Sequence, residues 1–291
     1  MTASSCSRKH VLVTGSNSGI GRATVGALAA RGWHVFAGLH HADHPGDPYD
    51  ERHVTSLTVD VTDENSLVAA GKTVREHVGA AGLDALVDNA GIGVAGPLEV
   101  LPLERLRTQL EVNVIGQVAV TQHFLPLIRQ AAGRIVLISS IGDRMAMPFA
   151  GPLTASKAAL SMVGHSLRQE LAPWGIGVTI VAPALIHTDA ADKLQRDADR
   201  LVAGLDPDAR QLYGETFSRM VSRAVAQEKT GSPPTAVAEA VVRALTARRS
   251  PARVVAGKGG RLLSVLSRLP APVLDAIRRR LFRLPAPGSF R

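Results

Sequence analysis

Three glycines fall within eight residues near the start of the chain, Thr14-Gly15-Ser16-Asn17-Ser18-Gly19-Ile20-Gly21. A short apolar run, His10–Thr14, leads into them. Helical spacing of Ile20, Val25, Leu28 and Ala29 leads out. The chemistry open to such a stretch is phosphate capture. Glycines let a backbone turn tightly and approach a pyrophosphate, and the free N–H groups that open a helix are aimed at an anion. A bare glycine triplet is a weak sign, but one set between a strand and a helix is much stronger. This reading assigns dinucleotide contacts to Gly15, Ser16, Ser18, Gly19, Ile20 and Gly21. The plainer alternative is a tight turn without a ligand.

A second stretch, Ile138–Lys157, reads Ile-Ser-Ser-Ile-Gly-Asp-Arg-Met-Ala-Met-Pro-Phe-Ala-Gly-Pro-Leu-Thr-Ala-Ser-Lys. Together with the glycine-rich turn it resembles the short-chain dehydrogenase/reductase family, over roughly residues 8–256. The turn is similar to that family's Thr-Gly-x-x-x-Gly-Ile-Gly. Asp60-Val61 falls where the family's Asp contacts adenine. Asn89-Ala90-Gly91 is similar to the family's Asn-Asn-Ala-Gly, with Asp88 in place of the first Asn, and implies a brace for the sheet beside the cofactor ribose. Pro183-Ala184-x-x-x-Thr188 resembles the Pro-Gly-x-x-x-Thr that borders the nicotinamide amide, with Ala184 for the Gly.

By the same resemblance, NAD is selected by a carboxylate at the end of the second strand. Leu39 stands there, followed by His40 and His41, with Arg22 near. A histidine pair can meet a 2′-phosphate, more strongly when protonated. The expectation is NADP(H) in preference to NAD(H), against an ordinary solvated loop.

The resemblance implies four catalytic positions. Asn113, in Glu-Val-Asn-Val, matches the Asn that orders a water chain. Ser140 matches the Ser that hydrogen-bonds the substrate oxygen. Lys157 matches the Lys that binds nicotinamide ribose and lowers the pKa of a Tyr. That Tyr belongs four residues before the Lys and thirteen after the Ser, and Leu153 occupies the place. A leucine gives no proton, and general acid–base catalysis is worth about 10²–10⁴ in rate. Ser140, Tyr49, Tyr213 and His187 are the substitutes to consider, each more simply read as surface or packing. Three readings stay open. The protein transfers hydride to an acceptor that needs little proton donation, such as an iminium ion. It binds the cofactor and promotes a non-redox cyclisation or isomerisation by positioning. Or it binds the cofactor and does no chemistry.

Those residues need a scaffold. Strands are expected at His10–Thr14, Trp33–Leu39, Thr55–Val59, Asp84–Val87, Arg134–Ser139, Gly177–Ala182 and Arg253–Ala256. Helices fall between them, including 63–78, 152–172 and 235–248, and a long periodic stretch over 103–130 with a kink or break at Pro126. His40–Arg52, rich in His, Asp, Pro and Gly, reads as loop. Strands alternating with helices predict an α/β chain: a single-domain Rossmann-type doubly wound parallel sheet, covered on both faces, with a C-terminal helical extension. The division is 1–260 for the dinucleotide-binding and catalytic domain, with 189–230 inserted over the mouth of the site, and 261–291 for the extension.

Composition fits a globular chain, with 45% hydrophobic and 20% charged residues, and no apolar run nears the ~18 residues of a membrane span. Cys6 is the lone cysteine and the N-terminus lacks an apolar signal core, so a cytoplasmic location is expected. Aromatics at 3% and the lack of a recognition motif argue against nucleic acid. No metal-ligand pattern stands out. Of the net charge of +8, residues 261–291 hold +6, from seven Arg and Asp275. Their apolar residues recur at helical spacing, so the segment is a solvated or docked helix pair or a membrane-surface contact, and it resembles extensions of steroid- and retinol-type family members. Met145, Met147, Pro148, Phe149, Ile92, Val94, Leu185 and Ile186 are candidate walls for a small apolar substrate, though half or more are expected to be plain core. The resemblance further implies a homodimer or homotetramer packed through 103–130 and 152–172.

Overall fold

A computed structural model of the protein describes residues 8–40 and 52–289. The first half alternates β1 His10–Val13, α1 Gly19–Ala29, β2 His34–Leu39, β3 Val54–Thr58, α2 Glu64–Val78 and β4 Ala85–Asp88. Then come α3 Leu103–Leu110, α4 Gly116–Gln130, β5 Arg134–Ile138, α5 Gly151–Glu170 and β6 Gly177–Pro183. The chain closes with α6 Ala190–Ala203, the short α7 Pro207–Ala209, α8 Glu215–Lys229, α9 Thr235–Thr246, β7 Arg253–Ala256, α10 Gly260–Leu266 and α11 Ala271–Phe282. The seven strands form one parallel sheet in the order β3-β2-β1-β4-β5-β6-β7. The doubly wound α/β expectation holds.

The central strands are mostly apolar because both faces are covered, while β3 at the edge of the sheet carries Thr55, Ser56 and Thr58. On β1, Val11 and Val13 pack with Val25 and Leu28 of α1 and Val237 and Val241 of α9, while Leu12 points into the cluster of α2 and α4. β5 divides the same way, Val136 and Ile138 against Ile135 and Leu137. That is the period of two of a strand buried on both sides. The chain runs outward from β1 to β3, then crosses to β4 on the other side of β1. The strand order therefore reverses between β1 and β4, and a crevice opens at their carboxyl ends, where ligands of such sheets bind.

The long periodic stretch breaks elsewhere than expected. Pro126 lies inside α4, while a π turn at Glu111–Ile115 separates α3 from α4. Pro126 is exposed, as is Gln122 four residues before it. The carbonyl that Pro126 leaves without a helical partner thus lies toward solvent, and the helix continues. The segment 189–230 builds a small core of its own. Ala191 and Ala198 of α6 meet Phe217, Met220, Val221 and Val225 of α8, and Phe282 of α11 joins them. Among the described residues, no helix is long and apolar enough to cross a membrane.

Candidate active site

The glycine turn sits at the carboxyl end of β1, in the crevice beside β4. Gly15 has φ +65, and a Cβ there would stand 2.7 Å from the Ala90 Cα. A Cβ on Gly21 would collide with the Gly15 carbonyl, which allows α1 to start close against the turn. Thr14 Oγ1 accepts from the N–H groups of Asn89 and Ala90, at 3.0 Å each. Asn89 Nδ2 donates to the carbonyls of Thr14 at 2.9 Å and Gly15 at 3.0 Å. The turn is thus tied to the end of β4. Ser16 is buried and ties back to its own strand, its hydroxyl donating to Val13 O at 2.7 Å. Ser18 precedes α1 without making a side-chain cap, and α1 has no acid in its first turn. Its opening N–H groups therefore suit an anion.

Across the crevice Thr188 reaches Gly19, its Cγ2 lying 3.4 Å from where a Cβ would be. Pro183 closes β6 on the same side. His40 extends the turn on the other side. Its N–H donates to Asn17 Oδ1 at 3.0 Å and its Nε2 lies 3.5 Å from Asp60 Oδ2. Asp60 Oδ1 accepts from the Thr62 N–H at 2.9 Å and the Thr62 hydroxyl at 2.7 Å, and Val61 is buried. His41 and Tyr49 lie outside the described residues.

A ladder of side chains holds the segment that follows β4. Thr121, Gln117, Asn113 and Gln109 recur every four residues on α4, the π turn and α3, and all are buried. They meet Asp88, Ala90, Ile92 and Val94, which recur every two. Thr121 Oγ1 donates to Asp88 Oδ2 at 2.9 Å and Gln117 Nε2 donates to Ala90 O. Asn113 accepts from the Ile92 N–H at 2.8 Å and donates to Ile92 O at 3.0 Å. Gln109 accepts from the Val94 N–H at 2.6 Å. Four helical residues advance ~6 Å, and two extended residues advance ~6.6 Å, so the rungs stay in step. In a plain α-helix a four-residue repeat drifts around the axis; the wider π turn reduces that drift. Asn113 Nδ2 also donates to Ser156 Oγ at 3.1 Å, one residue before Lys157.

Lys157 is buried, and its Nζ donates to Ile138 O at 2.8 Å. The same Nζ lies 3.6 Å from where a Cβ on Gly91 would be, so Gly91 keeps the space in front of it open. Burial lowers its pKa to about 8, and the attraction of Asp143 opposes the shift. Asp143 itself forms a bidentate pair with Arg253 of β7, at 2.5 and 2.8 Å. It also accepts from Ser139 at 3.2 Å and Ser161 at 2.5 Å. These bonds join the residue after β5, α5 and β7, next in the chain to Ser140, whose Oγ accepts from the Gly142 N–H at 3.0 Å.

Leu153 lies one turn before Lys157 on α5, half-buried, its Cδ2 3.9 Å from where a Cβ on Gly93 would be. The Tyr213 hydroxyl donates to Glu99, which raises its pKa, and His187 is exposed. Of the candidate walls, Val94 and Ile186 are core. Met147 and Phe149 pack against the cluster of α6 and α8. Phe149 has φ +59, a left-handed conformation costing about 1–3 kcal/mol in a residue with a side chain.

The model of the short chain dehydrogenase family matches residues 9–199. The chain belongs to this family. This short-chain dehydrogenase is 33% identical to retinol dehydrogenase 5 of Mus musculus over 287 residues, 95% of this chain and 89% of that one. It is 32% identical to the NADPH-dependent 3-dehydrocapnine reductase of Ornithobacterium rhinotracheale, covering 92% of this chain and 95% of that one. A solved short-chain dehydrogenase from Streptomyces avermitilis superposes with a TM-score of 0.72 at 27% identity, covering 95% of this chain and 96% of that one. One from Burkholderia cenocepacia, at 23% identity and a TM-score of 0.71, has the same fold. This short-chain dehydrogenase thus stands among NAD(P)-dependent oxidoreductases, and its turn, Asn89, Gly91 and Lys157 form a cradle that fits such a dinucleotide.

Gln109, Ser156 and the Asp143–Arg253 pair are the parts of the site that the motifs did not single out. The four-residue recurrence of polar types from Gln109 to Thr121 was the available sign for the first. Nothing local pairs Asp143 with a residue 110 positions away.

Proposed function

We propose that this short-chain dehydrogenase is an NADP(H)-dependent reductase of an apolar small molecule, acting on an acceptor that takes hydride without a proton from position 153. The observation that carries the reading is the contrast within one helix. Lys157 is buried and aimed past Gly91, as a ribose ligand should be, while one turn earlier stands a leucine. The bound dinucleotide supplies the hydride. The chain's own residues do the rest. The glycine turn and the opening of α1 hold the pyrophosphate, Lys157 the ribose, and Thr188 borders the amide. Ser140 orients the polar end of the acceptor. Leu153 contributes an apolar wall beside Lys157, which suits a planar iminium or conjugated acceptor better than a ketone that must be protonated on oxygen.

Preference for NADP(H) is supported by the absence of a carboxylate at Leu39, by His40 over the turn, and by an NADPH-dependent relative at 32% identity. Asp60 beside His40 competes with a 2′-phosphate, so the preference should be modest. In titrations, His40→Asp should weaken NADPH binding and strengthen NADH binding; unchanged affinities would remove His40 from the reading. A homodimer or homotetramer is further proposed through residues 103–130 and 152–172, where Leu103, Ile115 and Met162 are exposed. Light scattering on the purified chain reads the mass, and a monomer contradicts it.

The test of activity is NADPH consumption by the unaltered chain and by Leu153→Tyr, side by side, on apolar cyclic imines and apolar ketones. The unaltered chain should consume NADPH with imines. Leu153→Tyr should raise ketone reduction by about 10²–10⁴. If the unaltered chain consumes none while the Tyr variant works, hydride transfer is not its native task.

A further inference from the structure

Beyond the sheet, α10 and α11 turn apolar side chains to solvent among arginines. Leu262 and Val265 stand three apart on α10, with exposures of 63% and 64%, and Leu269, at 37%, follows in the turn after it. Val273, Ile277 and Leu281 form a stripe at spacings of four, at 46%, 39% and 47%. Residues so spaced share one side of a helix. The stripe of α11 is not the face that seats it. Leu274 and Phe282 are buried on a different side, Phe282 against Phe217, Met220 and Val221 of α8. Arg223 of α8 donates to the Leu281 carbonyl at 2.5 Å.

Arginines flank these residues: Arg261 and Arg268 on and after α10, then Arg279, Arg280 and Arg283. The sole acid from residue 260 to the end of the chain is Asp275, and Arg278 pairs with it at 3.0 Å. Scattered exposed leucines are ordinary. Two successive basic helices, one exposing Leu262 and Val265 and the next Val273, Ile277 and Leu281, are not.

We propose that α10 and α11 are a docking face for an anionic phospholipid bilayer. Short amphipathic helices with arginines beside an apolar stripe lie in the plane of an interface, the stripe in the acyl boundary and the charges at headgroup phosphates. A second copy of this chain is the poorer occupant, because a two-fold contact would bring the same arginines face to face. The face is joined to the site through one packed unit. The cluster that receives Phe282 also receives Met147 and Phe149, from the segment between Ser140 and Leu153. Docking therefore places the roof of the site near the bilayer, a natural source of apolar molecules. This last consequence rests on the proposed reductase reading; the docking itself does not.

The experiment is co-sedimentation of the full chain with phosphatidylcholine vesicles, with and without phosphatidylglycerol, at low and high salt. Three forms are compared: unaltered, Val265→Glu/Ile277→Glu, and Arg279→Glu/Arg280→Glu. Thermal unfolding confirms that each is folded. The unaltered chain should pellet with anionic vesicles only, and less at high salt. Each double variant should lose about tenfold or more in partition. Absence of pelleting with anionic vesicles at low salt overturns the proposal. So does Val265→Glu/Ile277→Glu binding as well as the unaltered chain, since the stripe would then lie outside the contact. Light scattering covers the rival occupant: if the unaltered chain self-associates, that double variant dissociates it, and neither binds vesicles, the face is a subunit interface.

Discussion

Asp88 brings a carboxyl into a place where burial is complete and, among the described residues, only Thr121 donates to it. Burial pushes its pKa up to about 8, with the Thr121 hydrogen bond opposing. An unfolded Asp titrates near 3.9. From about pH 4 to about pH 8 the folded chain therefore keeps a proton that the unfolded chain releases. The contribution of Asp88 is fullest below that window and is lost as pH rises through it, at about 1.4 kcal/mol per pH unit at most. Asp88→Asn keeps a neutral group of similar shape and should remove the loss. In urea unfolding at about pH 6 and about pH 8, the difference in midpoint between variant and unaltered chain should grow with pH; a constant difference would show that Asp88 is ionised in the fold. Leu153 is the apolar counterpart: where the sequence resemblance leads one to expect a titrating tyrosine, a leucine stands.

At the scale of elements, two devices hold the site, and they differ in how far the sequence announces them. The ladder from Gln109 to Thr121 left a sign in the sequence that the motifs passed over. Polar residues every four positions in a helical stretch, opposite the Asp88–Val94 segment, can satisfy backbone groups that lack a strand partner. Gln109→Leu leaves the Val94 N–H buried without its acceptor and should cost about 1–3 kcal/mol in denaturant unfolding; a neutral result would mean the segment does not depend on it. The Asp143–Arg253 pair is not legible, because its partners meet only after the sheet has formed. Arg253→Met leaves the Asp143 charge buried and should cost about 3–5 kcal/mol. Adding Asp143→Asn should recover part of that in the same assay, and equal losses in the single and double variants would contradict the pairing. The break at the π turn was hidden for a related reason: Pro126 is the visible helix breaker in the sequence, whereas the demand for Asn113 to face Ile92 is tertiary.

At the scale of the whole molecule, the apolar runs and the helices between them were enough to read the parallel sheet, since a strand buried on both faces shows its burial in every residue. The roof was harder to read. Residues 189–230 look polar, and their core is completed by Phe282, 65 residues after Phe217, with no local pattern joining the two. Phe282→Ala should therefore open α6 and α8 to limited proteolysis while the sheet stays protected; cleavage spread evenly along the chain would contradict a separately seated roof. The proposed function makes one central claim, that this chain transfers hydride without a tyrosine at position 153. The most direct test is turnover of an apolar cyclic imine by the unaltered chain with NADPH carrying deuterium at the transferring carbon. The account predicts one deuterium in the product at the former imine carbon. Product formed without deuterium would contradict it and move the chemistry to a non-redox reaction.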